Sequence, residues 1–351
     1  MTTKPELPLN RVLIGDARTR LAELPDGVAD CIITSPPYWA LRDYGHDGQI
    51  GSESSVDAWA DEIASVCAQL SRVLSPTGAL WLNLGDSYAR TPRDGAAKKS
   101  LLLAPQRVAV QLTRAGWLLR NQIVWAKKNP MPSSVGDRLT TTHEFIYLFT
   151  KQPQYYFDLD SIREPATATM TASKLARPGY PPRSAAQNLG GGTTPRVDLN
   201  SGLADMKARG VQSHPLGKNP GDVWQFSTAS FRGAHFATFP LDLVRRPLLS
   251  TCPERICTTC GTPWRRATQV INGRRLAVGP LRASCRHEAW RPGRVLDPFL
   301  GAGTVALAAE QHHRDWLGVE LNPAYAAMAE QRVAEWRTLK QATPSNENTN
   351  A

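Results

Sequence analysis

The chain has no uninterrupted apolar stretch approaching the roughly 18 residues that a membrane-spanning helix needs, which argues against a membrane partner. Met1 to Asn10 is polar and proline-bearing, without the apolar core of a secretory signal, so an intracellular, cytoplasmic protein is expected. Acidic residues are in deficit: 31 Asp and Glu stand against 41 Lys and Arg, a net charge of +10 that favours a polyanionic partner. Cysteine is sparse too. The six cysteines do not form a spread disulfide framework, because Cys252, Cys257, Cys260 and Cys285 crowd into 34 residues, a pattern of metal binding in a reducing compartment.

At 351 residues the chain is long enough for a full α/β core, read as one large domain with insertions. Strand-like runs are expected at Arg11–Ile14, Ala29–Thr34, Ala79–Leu84, Leu118–Ala126 and Glu144–Thr150. Ala29–Thr34 is continuously apolar after Asp30, as a central strand covered on both faces should be. Between these runs, Trp59 to Leu74 repeats apolar residues at helical spacing, with Pro76-Thr77-Gly78 read as its stop. A second helix is expected from Ala104 to Ala115. The alternation of strand and helix predicts a three-layer α/β sheet.

That rhythm breaks between about Asp158 and Asp222, a stretch with Gly190-Gly191-Gly192 and several prolines. From Arg163 to Gly221 it holds eight Lys or Arg against three Asp or Glu. A linker and a segment that orders on a nucleic acid share such a composition.

Two strand ends carry the chemistry. Near the C-terminus, Val295-Leu296 empties into Asp297-Pro298-Phe299-Leu300-Gly301-Ala302-Gly303-Thr304, followed by a helical run and the strand Trp316–Val319 ending in Glu320. In this β-α-β unit Gly301 and Gly303 allow close backbone approach to a ligand, and the helix amides near Thr304 face it. Glu320 is placed to accept ribose hydroxyls, and ligands bind at such carboxyl strand ends. The glycine spacing is shorter than a dinucleotide fingerprint, and no phosphate-loop Lys-Ser or Lys-Thr pair accompanies it. An aspartate in the turn suits a cofactor with a cationic amino-acid moiety, of which S-adenosylmethionine is one.

Near the N-terminus, Ala29–Thr34 empties into Ser35-Pro36-Pro37-Tyr38-Trp39. Two prolines fix the backbone and remove two amide donors, leaving carbonyl acceptors beside aromatic faces. An exocyclic amino group needs in-plane acceptors and an extruded base needs a stacking surface.

These residues resemble a DNA methyltransferase acting on an exocyclic amino group, of the permuted class whose catalytic motif precedes its cofactor motif. Thr34 to Tyr38 resembles the catalytic tetrad, Asp297 to Thr304 the methionine-moiety loop, and Glu320-Leu321-Asn322-Pro323 the ribose-contacting strand end. Phe236 to Pro240 is similar to the segment packing over the cofactor, and Gly15-Asp16 and Trp125 through Glu144 also match. The resemblance implies a Rossmann-like sheet of permuted motif order, S-adenosyl-L-methionine as cofactor, and double-stranded DNA as substrate in a prokaryotic cytoplasm or nucleoid. It assigns Ser35, Pro36, Pro37 and Tyr38 to catalysis by base flipping and direct attack. It assigns Asp16, Phe239, Pro240, Asp297, Pro298, Phe299, Gly301, Gly303, Thr304, Glu320 and Asn322 to the cofactor. Attack through a ring carbon needs a cysteine nucleophile, which in enzymes of that kind follows a proline, and none of the six here does. Serine at position 35 implies cytosine N4, with adenine N6 the alternative and a non-enzymatic zinc-containing DNA-binding module a further one. A restriction endonuclease and a second copy of the chain are partners that the family admits.

Cys257-x-x-Cys260 with Cys285-x-His287 has the paired spacing of a structural Zn2+ site, Cys252 competing with His287 for the fourth position. Arg265, Arg266, Arg274 and Arg275 would lie on this ribbon, and Arg177, Arg183 and Arg196 in the broken stretch could reach guanine edges. The expected domains are a catalytic half at 1–157, a recognition insertion at 158–222, a lead-in at 223–251, a zinc ribbon at 252–290, a cofactor half at 291–340 and a disordered tail at 341–351.

Overall fold

The computed structural model describes residues 7–43, 45–46, 48–165, 214–228, 239–271 and 274–342. It divides into two compact units, Ile162–Pro220 and the remainder. Arg177, Arg183 and Arg196, Phe236 to Thr238 and the expected tail beyond Ala342 lie outside the described residues. No described helix is long and apolar enough to cross a membrane.

The larger unit is built on eight strands: β1 (Val12–Ile14), β2 (Ala29–Thr34), β3 (Leu74–Leu84), β4 (Leu118–Lys127), β5 (His143–Thr150), β6 (Val223–Phe226), β13 (Arg294–Asp297) and β14 (Asp315–Glu320). Their order in the sheet is β1-β14-β13-β2-β3-β5-β4-β6. Neighbours are parallel from β1 through β3, and β5 runs antiparallel to both β3 and β4. The first strands of the chain therefore sandwich its last two. β13, written 260 residues after β2, lies against it with Val295 opposite Cys31 and Leu296 opposite Ile32.

Alternation along the central strands sends side chains to two cores. Ile32, Leu80, Leu82 and Leu296 face α1 (Ala17–Glu23), α2 (Val56–Val73) and α3 (Ala104–Arg114). Cys31, Ile33, Trp81 and Val295 face α4 (Leu241–Thr251), α5 (Thr304–Gln311) and α6 (Pro323–Ala342). All six residues of β2 are buried, as its unbroken apolar run requires.

Two element ends differ from the sequence reading. α2 starts at Val56 rather than Trp59, because the Ser55 side chain accepts from the amide of Ala58. The helix does not stop at Pro76-Thr77-Gly78. Its cap residue Leu74 is already extended and pairs with Ala29, so these three residues belong to β3, beside a register shift in its ladder with β2.

The segment between α4 and β13 is a ribbon of short antiparallel pairs. β7 (Arg255–Cys257) pairs with β12 (Trp290–Pro292), β8 (Arg265–Arg266) with β11 (Leu281–Arg282), and β9 (Gln269–Ile271) with β10 (Arg274–Leu276). It attaches at the amino end of β2, where Arg291 holds Asp30 through two contacts of 2.6 and 3.1 Å. Asp30 also accepts the Arg294 amide at 2.8 Å. On the ribbon, Arg266 is bound bidentately by Asp158 at 2.6 and 2.9 Å, so its guanidinium is engaged within the protein.

Candidate active site

The carboxyl ends of β2 and β13 meet at the sheet's edge, and a buried hydrogen bond joins them. Thr34 Oγ1 donates to Asp297 Oδ1 at 2.7 Å, across 263 residues of sequence. The same carboxylate oxygen accepts the Phe299 amide at 3.0 Å, which folds the turn after β13 back on itself. Asp297 is fully buried, and its other oxygen, Oδ2, has no protein partner among the described residues. Burial, above all, pushes its pKa up to about 7, against the two hydrogen bonds and with help from nearby Glu320.

Glu320 ends the neighbouring strand, β14. One of its carboxylate oxygens accepts the Gly301 amide at 2.8 Å and the other the Asn322 amide at 2.9 Å. Burial raises its pKa, the backbone amides opposing. Both oxygens retain a lone pair for a further donor.

A cleft opens over these strand ends, enclosing about 860 Å³ not filled by protein atoms, part of it open to solvent. That is within the range of small-molecule sites. Asp16, Ser35, Pro37, Phe239, Pro298, Phe299, Gly301, Thr304, Glu320 and Asn322 line it, so residues from both sequence motifs share one wall system. Three expected residues play other parts. Asp297 sits beneath the turn rather than on the cleft surface, and Pro240 caps the start of α4. Gly303, at φ +77°, caps α5, and a Cβ there would stand 2.7 Å from the Cβ of Ala329. Its missing side chain admits α6, not a ligand.

Two lining residues are already engaged. Asp16 caps α1 and binds Arg18 through both oxygens at 3.0 and 2.6 Å, and this guanidinium holds its pKa below the ordinary value. Asn322 accepts from the amide of Ala324 in the first turn of α6. His46, Gln49, Ile50 and Tyr325 also line the cleft, which the sequence reading missed. The 40–55 loop carries no periodicity to mark the first three, and Tyr325 lies on α6.

At the other end of the cleft the Ser-Pro-Pro-Tyr corner is held from several sides. The Pro37 carbonyl accepts from the Trp59 indole at 2.9 Å, and Pro36 is buried. Ser35 Oγ lies 3.1 Å from Tyr38 Oη and accepts from Asn83 Nδ2 at 3.3 Å. Tyr38 Oη donates to Glu144 Oε2 at 2.7 Å, and Lys127 Nζ reaches Glu144 Oε1 at 2.6 Å. Gly85 makes room for the ring, since a Cβ there would fall 2.6 Å from Tyr38 Cε2. Trp39, read from sequence as part of the aromatic surface, is only 3% exposed and donates to the Glu53 carbonyl, which leaves Tyr38 as the corner's accessible aromatic.

Asn83 and Glu144 are the functional candidates whose role sequence reasoning did not identify. They stand on antiparallel partners β3 and β5, near one another only because Asn83 pairs opposite Ile146. A polar Asn inside an otherwise apolar strand was the available signal.

The four expected metal ligands are brought together: Cys257, Cys260, Cys285 and His287 place their ligand atoms within 4.8 Å of one another. Cys252 is not among them. It is fully buried beneath Gly293, in the core facing α4.

Comparison with known proteins gives the same answer along most of the chain. The N6/N4 methylase family, described as DNA methylase, matches residues 29–331. Type II methyltransferase M.SmaI of Serratia marcescens is 31% identical over 349 residues, covering 93% of this chain and 91% of its own. Type II methyltransferase M.XycI of Xanthomonas campestris pv. cyanopsidis is 33% identical over 341 residues, covering 91% and 86%. Among solved structures, the PvuII DNA methyltransferase, cytosine-N4-specific, aligns with a TM-score of 0.55 at 16% identity over 92% of this chain and 89% of that one. A DNA modification methylase from Thermus thermophilus, TTHA0409, whose assignment is itself provisional, was solved with S-adenosyl-L-methionine and aligns with a TM-score of 0.50 at 24% identity over 93% and 95%. At these identities the structural likeness is one of fold.

Proposed function

The chain belongs to the N6/N4 DNA methylase family, and from that membership we propose that it transfers a methyl group from S-adenosyl-L-methionine to the N4 amino group of cytosine in double-stranded DNA. The observation that carries this reading is the Thr34–Asp297 hydrogen bond, which sets the base corner and the cofactor cleft side by side. The cleft suits that cofactor: Glu320 on its wall is matched to ribose hydroxyls, and beneath the turn the buried carboxyl of Asp297, whose Oδ2 has no protein partner among the described residues, favours a positive charge above it. When bound, the cofactor supplies an electrophilic methyl group on a sulfonium.

The chain's own residues then position the amine. Ser35 Oγ and the Pro36 carbonyl accept from the exocyclic amino group, orienting its lone pair towards the cleft. The Tyr38 ring stacks on the extruded base, its hydroxyl anchored by Glu144. Extrusion is necessary because the amino nitrogen is inaccessible in a stacked duplex. The proton released by nitrogen has a path outward along Ser35, Tyr38 and Glu144, each within hydrogen-bond distance of the next.

Cytosine rather than adenine is favoured by the serine. The support is the likeness of Ser35-Pro36-Pro37-Tyr38 to the motif of the cytosine-N4 type, in which a serine stands where the adenine type usually has an aspartate. The described relatives are Type II enzymes, so a companion endonuclease and cytoplasmic action on the cell's own DNA fit the same reading.

The test is exposure of unmethylated DNA to the purified protein with the cofactor, followed by nucleoside identification and base-resolved sequencing. N4-methylcytosine at one short sequence is expected. N6-methyladenine would overturn the choice of base, and no methylated nucleoside would overturn the enzymatic reading.

A further inference from the structure

The ribbon between β7 and β12 has almost no apolar core of its own; the Arg266–Asp158 ion pair and the Trp264–Trp290 ring contact are side-chain ties at its base. From Thr258 to Ala289, only Pro263 and Gly279 are buried among the described residues, and its strands are two or three residues long. Val270 is 69% exposed. A segment of this kind has no apolar core to offset the entropy of ordering it, and small folds in that position depend on a staple.

The staple's ligands are in place. Cys257 and Cys260 bracket a tight turn closed by the Gly261 amide on the Cys257 carbonyl at 3.0 Å, with Gly261 at φ +71°. Cys285 and His287 come from the bends ahead of β12, whose Trp290 pairs opposite Cys257. Cys257 Sγ accepts the amides of Thr259 and Cys260 at 3.4 Å each, so this sulfur is an acceptor surrounded by donors, as a thiolate requires. It lies 3.5 Å from His287 Nδ1. In a tetrahedral site with Zn–S near 2.3 Å and Zn–N near 2.05 Å, sulfur and nitrogen are separated by roughly 3.6 Å. That pair already stands at metal-bridged spacing. The widest separation, 4.8 Å, needs to close by only about 1 Å to reach a sulfur–sulfur edge.

We propose that Cys257, Cys260, Cys285 and His287 bind one Zn2+ in a closed, four-ligand site that folds the ribbon and fastens it to the amino end of the sheet. Three thiols lose their protons to solvent as three Zn–S bonds form, and the neutral imidazole of His287 supplies the fourth ligand. Thiolate and imidazole ligands select zinc over the hard cations that prefer oxygen. With no open position, the ion is structural. Its placement agrees: β2 runs from Asp30, which the ribbon's Arg291 grips, to Thr34 at the cleft, so the ribbon and the reacting groups occupy opposite ends of one strand.

The proposal does not depend on the identity of the substrate, and its test needs no turnover. Elemental analysis of the full chain, purified without chelator and dialysed against zinc-free buffer, is expected to return about one zinc per chain. Replacement by Co2+ should give the intense visible bands of tetrahedral thiolate coordination. Cys260→Ser with Cys285→Ser is expected to lose at least tenfold of the zinc and to lower the melting temperature. Because that variant can fail to fold, the wild-type metal content decides the matter. A folded wild-type chain with less than about 0.2 zinc and three readily titrated thiols would overturn the site, and so would cobalt bands of octahedral type. A folded, zinc-free variant that still melts at the wild-type temperature would overturn the ribbon-fastening role.

Discussion

Asp297 is buried, half-satisfied and charged only at a cost, and these three properties together make it the most informative residue beneath the cleft. Its pKa is pushed up to about 7 from an ordinary 3.8, chiefly by burial. The sign for folding follows from linkage: a carboxyl with a raised pKa binds a proton more tightly in the folded chain. Its contribution to stability is fully present below about pH 3.8 and is lost as pH rises towards 7. A cationic ligand in the cleft above this carboxyl reverses the preference, since it favours the ionised form. Cofactor affinity should therefore rise with pH by up to about tenfold per unit below pH 7 and level off above it. Glu320, its pKa also raised by burial, lines the same cleft, so the Asp297→Asn variant is the control. Calorimetry between pH 5.5 and 8.5 should show a sloping wild type and a flattened, weaker variant. A flat wild-type profile would detach the buried carboxylate from the cofactor.

At the scale of elements, Gly303 decides how closely the helices of the cofactor half approach. Its φ of +77° disfavours any side chain, and the Cβ would sit 2.7 Å from that of Ala329 on α6. Backbone strain and overpacking together put the cost of Gly303→Ala at roughly 2 to 4 kcal/mol, read by urea denaturation. A loss below about 1 kcal/mol would mean that α6 yields at this contact. This glycine was legible in the sequence as a backbone requirement but not as a packing one, because Ala329 lies 26 residues later on a helix the periodicity did not reveal. The strands β2, β13 and β14 were legible for a simpler reason: continuous apolar runs ending in turn residues have few other solutions. Asp297, Glu320 and Ser35 were visible with them, since each sits where a strand stops. Glu144, Asn83 and Lys127 were not legible as one group. Their meeting is fixed by the β3-β5-β4 pairing, which no local pattern encodes. Pro76-Thr77-Gly78 misled in the opposite direction, as turn residues absorbed into a strand at an irregular ladder.

At the scale of the whole molecule, the permuted order leaves a sheet whose insertions begin and end at places that tolerate length. The smaller unit, Ile162–Pro220, shows this most clearly at its own two ends. Glu164 and Lys218 exchange both backbone hydrogen bonds, at 3.1 and 2.8 Å, and their side chains form an ion pair at 3.1 Å. Gly217, at φ +99°, completes the pinch, since a Cβ there would fall 2.1 Å from the Glu164 carbonyl oxygen. Chain entering the insertion thus leaves it almost where it came in, and what lies between Glu164 and Lys218 can be shortened without pulling on the strands that carry the cleft. Closing a shorter loop also costs less entropy. If the reader of DNA sequence lies in that insertion, replacing residues 166–213 by a short Gly-Ser linker should leave cofactor affinity within about threefold of the wild type, as equilibrium binding would show. The same protein should lose sequence-specific methylation by a factor of about 10³ or more, the order by which specific binding commonly exceeds non-specific. Retained methylation at the original sequence would place the reader elsewhere on the larger unit, and lost cofactor binding would show that the insertion is part of the fold that the cleft depends on.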